Sequence, residues 1–281
     1  MLSFISWNAD PVLFHIGPLA VRWYGLMFAI GFMVGYMIMS RMFKHEGVPE
    51  KWLDILLVYL VVSTVIGARL GHVLFYEWDY YSSHPAEILK VWEGGLASHG
   101  ATVGIFLGLC IFSWCTAHKN PSWVIDKVVV PIALVGGLVR LGNLMNSEIY
   151  GDYTTLPWGF IFVRNGETLP AHPTQIYEAL CYFALFGLLW WMYWKRNAEE
   201  RPWLMTGVFF IWTFGTRFLI EYIKNPQESW EADMVLNMGQ LLSIPFILIG
   251  IGMVAWAMSH PRQHWTFPNH FAETTTKSRK K

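Results

Sequence analysis

Trp123-Val-Ile-Asp126-Lys127-Val-Val-Val-Pro-Ile-Ala-Leu-Val-Gly-Gly-Leu-Val-Arg140-Leu-Gly-Asn143-Leu-Met-Asn146-Ser-Glu148-Ile-Tyr-Gly151 is the stretch that decides how the chain is read. From Trp123 to Val139 it is apolar except for Asp126 and Lys127. A helix needs about 20 such residues to cross the hydrocarbon core of a bilayer. At the end of that run come a guanidinium, two carboxamides and a carboxylate. Arg140, Asn143 and Asn146 fall on roughly one helix face. Charge at membrane depth is costly, so such groups usually face a cavity or a partner rather than lipid. The simpler reading is an interfacial helix end with a snorkelling arginine. What argues beyond it is the company the stretch keeps elsewhere.

Outward from this run, the rest of the chain has the same character. It is 281 residues long, 54% hydrophobic and only 14% charged, with a mean hydropathy of +0.35. Soluble domains carry roughly 25% charged residues, so this composition predicts an integral membrane protein. Its 16 Trp, 12 Tyr and 19 Phe suit aromatic belts at both interfaces. A net charge of zero gives no case for a nucleic-acid partner. Cys110, Cys115 and Cys181 lie in apolar runs and predict neither a disulfide framework nor a thiolate metal site. No charged leader precedes an apolar core at the start, so no cleavable signal peptide is expected, and the first span acts as its own insertion signal.

Hydropathy predicts an all-α fold of seven transmembrane helices, at Val21–Met42, Trp52–Tyr76, Leu96–Ala117, Trp123–Met145, Thr174–Tyr193, Leu204–Tyr222 and Val235–Met258. Residues 1–20 read as a surface segment, 21–258 as one membrane domain, and 259–281 as a basic tail. Asn146–Pro173, rich in Gly, Pro and Thr, reads as a small cap between spans 4 and 5. Arg41, Lys44, Lys51, Lys119, Lys127, Lys195, Arg196, Arg201 and the tail cations fall on one side, against Lys90, Arg164 and Lys224 on the other. The positive side is cytoplasmic, which puts the N-terminus and the cap outside and the C-terminus inside.

With that topology the costly polar residues gather at one depth. Arg22 and Tyr24 open the first span. Arg69 and His72 lie near the outer end of the second, and His99 opens the third. Arg140 and Asn143 close the fourth, Tyr177 and Glu178 open the fifth, and Arg217 and Glu221 close the sixth. Channels and proton-coupled carriers more often place such groups near the midplane. A site at headgroup level suits binding or chemistry on a lipid headgroup.

Arg69 and Arg140 recur in similar frames, Gly67-Ala-Arg69-Leu-Gly71 and Leu138-Val-Arg140-Leu-Gly142. Arginine's fork matches phosphate oxygens, so several at one depth read as a phosphate clamp. The structural reading is that Arg217 pairs with Glu221 four residues on, and that Glu148 or Glu178 neutralises Arg140 or Arg69. His99, in Gly94-Gly-Leu-Ala-Ser98-His99-Gly100, is the group best able to exchange a proton near neutral pH; the bland reading is a hydrogen-bonded interfacial histidine. No Gly-x-Ser-x-Gly elbow, His-Glu-x-x-His pair or Walker-type loop is present. No metal or cofactor is therefore expected. Asp126 reads as a local or interhelical partner.

Arg140-Leu-Gly-Asn143-Leu-Met-Asn146-Ser-Glu148-Ile-Tyr-Gly151 resembles the signature of bacterial prolipoprotein diacylglyceryl transferases. Further stretches resemble that family in order over roughly 11–257. They are Ile16 to Met27 with Tyr24, Gly67 to Tyr76, Gly94 to Gly100, His172-Pro-Thr-Gln175-Ile-Tyr177-Glu178, Arg217 with Glu221, and Met238-Gly-Gln240-Leu-Leu-Ser243. Val139 stands where the family usually has Gly, Leu144 where it has Phe, and Ala171 where Arg is common. The resemblance implies a seven-span enzyme of the bacterial inner membrane with an outward-facing site. Such an enzyme transfers the diacylglyceryl group of phosphatidylglycerol to the lipobox cysteine of a preprolipoprotein signal peptide, forming a thioether and releasing glycerol 1-phosphate. It implies His99, Tyr24, Arg140 and Arg217 as catalytic. Asn143, Asn146, Glu148, Gly151, Arg69 and Glu221, with Arg140, would bind substrate. The rival of another class is a lipid-binding or lipid-moving protein that uses the arginines without chemistry.

Overall fold

A computed structural model describes residues 4–224 and 236–267. Seven of its helices are long and apolar enough to cross a membrane. In chain order the strands are β1 (Ile5–Trp7), β2 (Val12–Ile16), β3 (Leu19–Arg22) and β4 (Phe160–Phe162). The helices are α1 (Trp23–Glu46), α2 (Lys51–Phe75), the short α3 (Trp78–Ser83), α4 (Ser98–Phe112), α5 (Ser122–Met145), α6 (Thr174–Arg196), α7 (Leu204–Ile220) and α8 (Met238–Ser259). Val21 and Arg22 belong to a β2–β3 hairpin turned at Gly17, not to the first helix, which starts at Trp23. The expected tail lies outside the described residues from 268 onward, as does Val235.

The chain forms two compact units. One comprises the residues before Ser40 and Asp126 to His264; the other comprises Ser40 to Ile125 and the residues from Trp265. Lipid tails are as apolar as the helices, so helix pairing in a bilayer depends on close van der Waals contact. In the second unit α2 and α4 obtain that contact through glycines. A Cβ on Gly67 would lie 2.7 Å from Gly104 Cα, and one on Gly71 would lie 2.7 Å from Gly100 Cα. No side chain fits between these backbones. The opposite face of α2, with Val58, Val61, Val62 and Ile66, is exposed and suited to lipid.

In the first unit Gly207 of α7 and Gly250 of α8 likewise meet backbone to backbone, and other small residues pack against rings. Gly136 and Gly137 of α5 receive Tyr182 and Phe183 of α6, and Gly142 receives Tyr24 of α1. Phe214 of α7 stacks on Phe246 of α8 with ring centroids 4.3 Å apart. At the ends of α6 and α7 marked by Arg196 and Leu204, buried Asp126 accepts from the backbone N–H of Trp203 at 2.6 Å and of Thr206 at 2.8 Å. It also accepts from the Thr206 hydroxyl at 2.5 Å. It is thus an interhelical cap that satisfies N–H groups at the start of α7.

At the opposite ends of these helices, the 146–173 connection folds onto the N-terminal segment. β1 pairs in parallel with β4, and the Trp7 indole donates to the Leu144 carbonyl at 3.0 Å. Leu144, Phe160, Phe162 and Ala171 form its buried core, with Trp7, Tyr150 and Ile176 packed against it. Two of the departures from the family signature, Leu144 and Ala171, are therefore neighbours in one small apolar core.

Candidate active site

In the second unit, the segment between α2 and α4 is built around Arg69. Its Nε donates to the Ile88 carbonyl at 2.9 Å and Nη2 to that of Glu87 at 2.6 Å. Nη1 serves Gly94 at 2.8 Å and Gly95 at 3.3 Å. The guanidinium also lies 4.9 Å over the Tyr81 ring, and the residue is buried. The clamp expected of Arg69 is thus replaced by a pin: its donors hold loop carbonyls that would otherwise lack partners. Gly95 has φ +66°, and a Cβ there would come within 2.7 Å of both Arg69 and His72. This close turn delivers the chain to Ala97, whose N–H bonds the Ala68 carbonyl at 2.9 Å, and so fixes where α4 begins.

His99 stands exposed in the first turn of α4. Its Nε2 shares a hydrogen bond with the Tyr76 hydroxyl at 3.1 Å. The His72 ring stacks on Tyr76 at 5.9 Å, and His72 Nε2 lies 3.5 Å from Glu77 Oε2. His72, Tyr76, Leu96, Ala97, Ser98 and His99 line a cavity of about 270 Å³.

In the first unit, the end of α5 meets the start of α6, the end of α7 and the start of α8. The Arg140 Nε is paired with Glu178 Oε2, and Nη1 donates weakly to Asn143 Oδ1 at 3.4 Å. Glu178 Oε1 takes the Lys224 ammonium, which also lies 3.9 Å from Glu221 Oε2. Asn143 and Asn146 both donate to Glu148 Oε1, at 2.7 and 3.2 Å, while Gln175 donates to the Glu148 carbonyl at 2.7 Å. Tyr24 packs against Gly142, between Arg140 and Asn143 in sequence. Arg217 is exposed and has no carboxylate partner among the described residues. Tyr182 of α6 lies within electrostatic reach of both Arg140 and Arg217.

Gly151 is the joint that brings Lys224 in. It forms an antiparallel bridge with Lys224, and its N–H bonds the His172 carbonyl at 2.9 Å. The expected Arg217–Glu221 pair is not the arrangement found. Beyond Ile220 the helix tightens into a 3-10 turn over Glu221–Ile223. In 3-10 geometry residues three apart eclipse, so Glu221 is aligned with Lys224. Gly239 gives the carboxylate room: a Cβ there would lie 2.6 Å from Glu221 Cδ. Lys224 and Tyr182 are members to which sequence reading gave no part in the site, and Gln175 stood within a family-like stretch without a role of its own. The Lys that follows Arg217 and Glu221 was the one available signal for Lys224.

These features define a class: a multi-pass helical membrane protein whose first unit carries Arg140, Arg217 and Lys224 at helix ends. The family profile described as prolipoprotein diacylglyceryl transferase matches residues 11–256. A phosphatidylglycerol–prolipoprotein diacylglyceryl transferase of Porphyromonas gingivalis is 49% identical over 273 residues, covering 92% of this chain and 96% of the relative. Proteins of the same name from Tolumonas auensis and Chloroherpeton thalassium are 48% and 45% identical, covering 88% and 90% of this chain and 95% and 94% of theirs. The chain belongs to the prolipoprotein diacylglyceryl transferase family and is a membrane transferase of lipoprotein biosynthesis.

Proposed function

We propose that this chain moves the diacylglyceryl group of phosphatidylglycerol onto the lipobox cysteine thiol of a preprolipoprotein signal peptide. The work is done at the outer face of the bacterial inner membrane. Phosphatidylglycerol and prolipoprotein are the substrates in the names of the relatives; the lipobox cysteine and the signal peptide are what the family resemblance implies. The orientation rests on the Lys and Arg asymmetry of the loops.

In the reaction the cysteine sulfur attacks the glyceryl carbon that carries the phosphodiester oxygen. The C–S bond of a thioether forms, the C–O bond breaks, and its electrons leave with glycerol 1-phosphate. An ordinary thiol has a pKa near ~8.5 and is mostly protonated at neutral pH. His99 takes that proton, with Tyr76 holding its Nε2. Displacement builds negative charge on the phosphate oxygens. Arg140 and Arg217 stabilise it, as oriented cations stabilise a developing anion in a poorly hydrated site. Tyr24, packed against Gly142, donates a hydrogen bond to the lipid headgroup. Asn143 and Asn146, held on Glu148, fix the Arg140 end of α5 and meet the glycerol hydroxyls. Glu221 and Gly151 act through Lys224, and Arg69 acts through the loop it pins.

One observation carries this reading. Arg140 is committed to Glu178 through Nε, which leaves its terminal nitrogens for oxygens of a substrate, and Arg217 has no carboxylate partner among the described residues. The test is transfer by purified Arg140→Ala and His99→Ala proteins, with headgroup binding measured beside it. Both variants should lose transfer while remaining folded. His99→Ala should still bind phosphatidylglycerol. Full transfer by either variant removes that residue from the mechanism, whereas wild-type protein that binds phosphatidylglycerol but transfers nothing would favour a lipid-binding role without chemistry.

A further inference from the structure

We propose that Lys224 is a positioning residue for the Arg140 guanidinium, dividing the Glu178 carboxylate so that Arg140 keeps its terminal nitrogens for the substrate phosphate. The inference rests on the phosphate-holding reading of Arg140 given above.

Glu178 faces two cations, one on each oxygen: Arg140 Nε on Oε2 and Lys224 Nζ on Oε1. The side chains of Glu178, Lys224 and Glu221 are 8%, 9% and 11% exposed. Charges this far from water must be compensated by neighbours, because solvent no longer does it. A carboxylate left alone with an arginine closes on the guanidinium fork with both oxygens. Here Lys224 occupies Oε1, and the Arg140 contact that stands out is Nε on Oε2. Nη1 donates weakly to Asn143 Oδ1 at 3.4 Å, and the Tyr182 side chain is a further neutral partner of the guanidinium.

Backbone features that a simple counter-ion would not need bring Lys224 to this place. Gly151 pairs with it across an antiparallel bridge where no side chain fits. The 3-10 turn aligns Glu221 with it from the other side, at 3.9 Å. Glu221 balances the second cation, so Arg140, Lys224, Glu178 and Glu221 are neutral together before an anionic headgroup arrives. Replacing Lys224 with a neutral residue lets Glu178 saturate Arg140 and leaves a surplus of negative charge facing the phosphate.

The test uses the full chain in mixed micelles with phosphatidylglycerol varied against a fixed lipobox peptide. Lys224→Gln should raise the KM for phosphatidylglycerol at least ~tenfold, the scale expected for breaking a buried charge pair, with the KM for peptide unchanged. Lys224→Arg should restore it. The charge-neutral double variant Lys224→Gln/Glu178→Gln should return the lipid KM to within about fivefold of wild type, because the carboxylate that sequesters Arg140 is gone. If Lys224→Gln elutes aggregated, the double variant alone decides. A wild-type lipid KM in Lys224→Gln, or a double variant at least tenfold impaired, overturns the proposal. Arg140→Ala, run beside them, separates the two levels. Full activity there defeats the phosphate-holding reading, whereas an inactive Arg140→Ala with an unaltered Lys224→Gln defeats only the role of Lys224.

Discussion

Gly151→Ala is the sharpest perturbation the structure offers, because it adds one methyl where backbones meet. That carbon would lie 2.8 Å from Thr174 Cγ2 and 3.1 Å from His172 Cβ, and closer still to the Ile223 carbonyl oxygen. Carbon atoms pack at about 3.5–4.0 Å, so the joint must open by roughly an ångström. Two of the three neighbours are a backbone oxygen and a Cβ, which no rotamer change can move aside. Overpacking of this kind costs about 1–3 kcal/mol. Straining the Gly151–His172 and Asp152–Ile223 hydrogen bonds, both 2.9 Å long, adds about 1 kcal/mol each. The total, about 3–5 kcal/mol locally, falls on the segment that carries Lys224 to Glu178. A misplacement of about 1 Å can cost on the order of a hundredfold in rate. The kcat/KM for transfer, measured with lipobox peptide in detergent, should therefore fall by about that factor while the protein remains monodisperse. Activity within threefold of wild type would refute the claim that this joint sets the site.

Arg69→Gln should lower transfer with an unchanged KM for phosphatidylglycerol, and should raise hydrogen exchange across 84–97, since the residue holds four loop carbonyls. A selective rise in the lipid KM would restore it to the clamp. Asp126→Ala removes three hydrogen bonds from a buried carboxylate and should destabilise the fold by about 3–5 kcal/mol. Denaturant titration in detergent would measure this, and an unchanged midpoint would contradict the capping role.

The spans were legible because apolar runs of membrane length admit few other structures. The gathering of polar groups at the helix ends was legible for a related reason: charge at that depth stands out against apolar surroundings. The limits of the sequence lay where composition does not change with structure. Val21, Arg22 and Trp23 read as the start of the first span, yet the chain passes there from β3 into α1. Arg69 and Arg140 sit in nearly the same local frame. One is consumed by carbonyls of a distant loop and the other is paired through a single nitrogen, a difference made by partners far along the chain. Arg217 and Glu221 have ideal helical spacing, but the tightening of the last turn gives Glu221 to Lys224 instead. Nothing in an isolated lysine announces that its partner is a glutamate on another helix.

The central claim, diacylglyceryl transfer to a thiol, is tested most directly by the mass of the acceptor. Purified protein is incubated with phosphatidylglycerol and a lipobox peptide, with the Cys→Ser peptide in parallel. The account predicts a diacylglyceryl mass gain on the cysteine peptide alone, matched by release of glycerol 1-phosphate. An unmodified cysteine peptide, under conditions where a known transferase modifies it, would contradict the account.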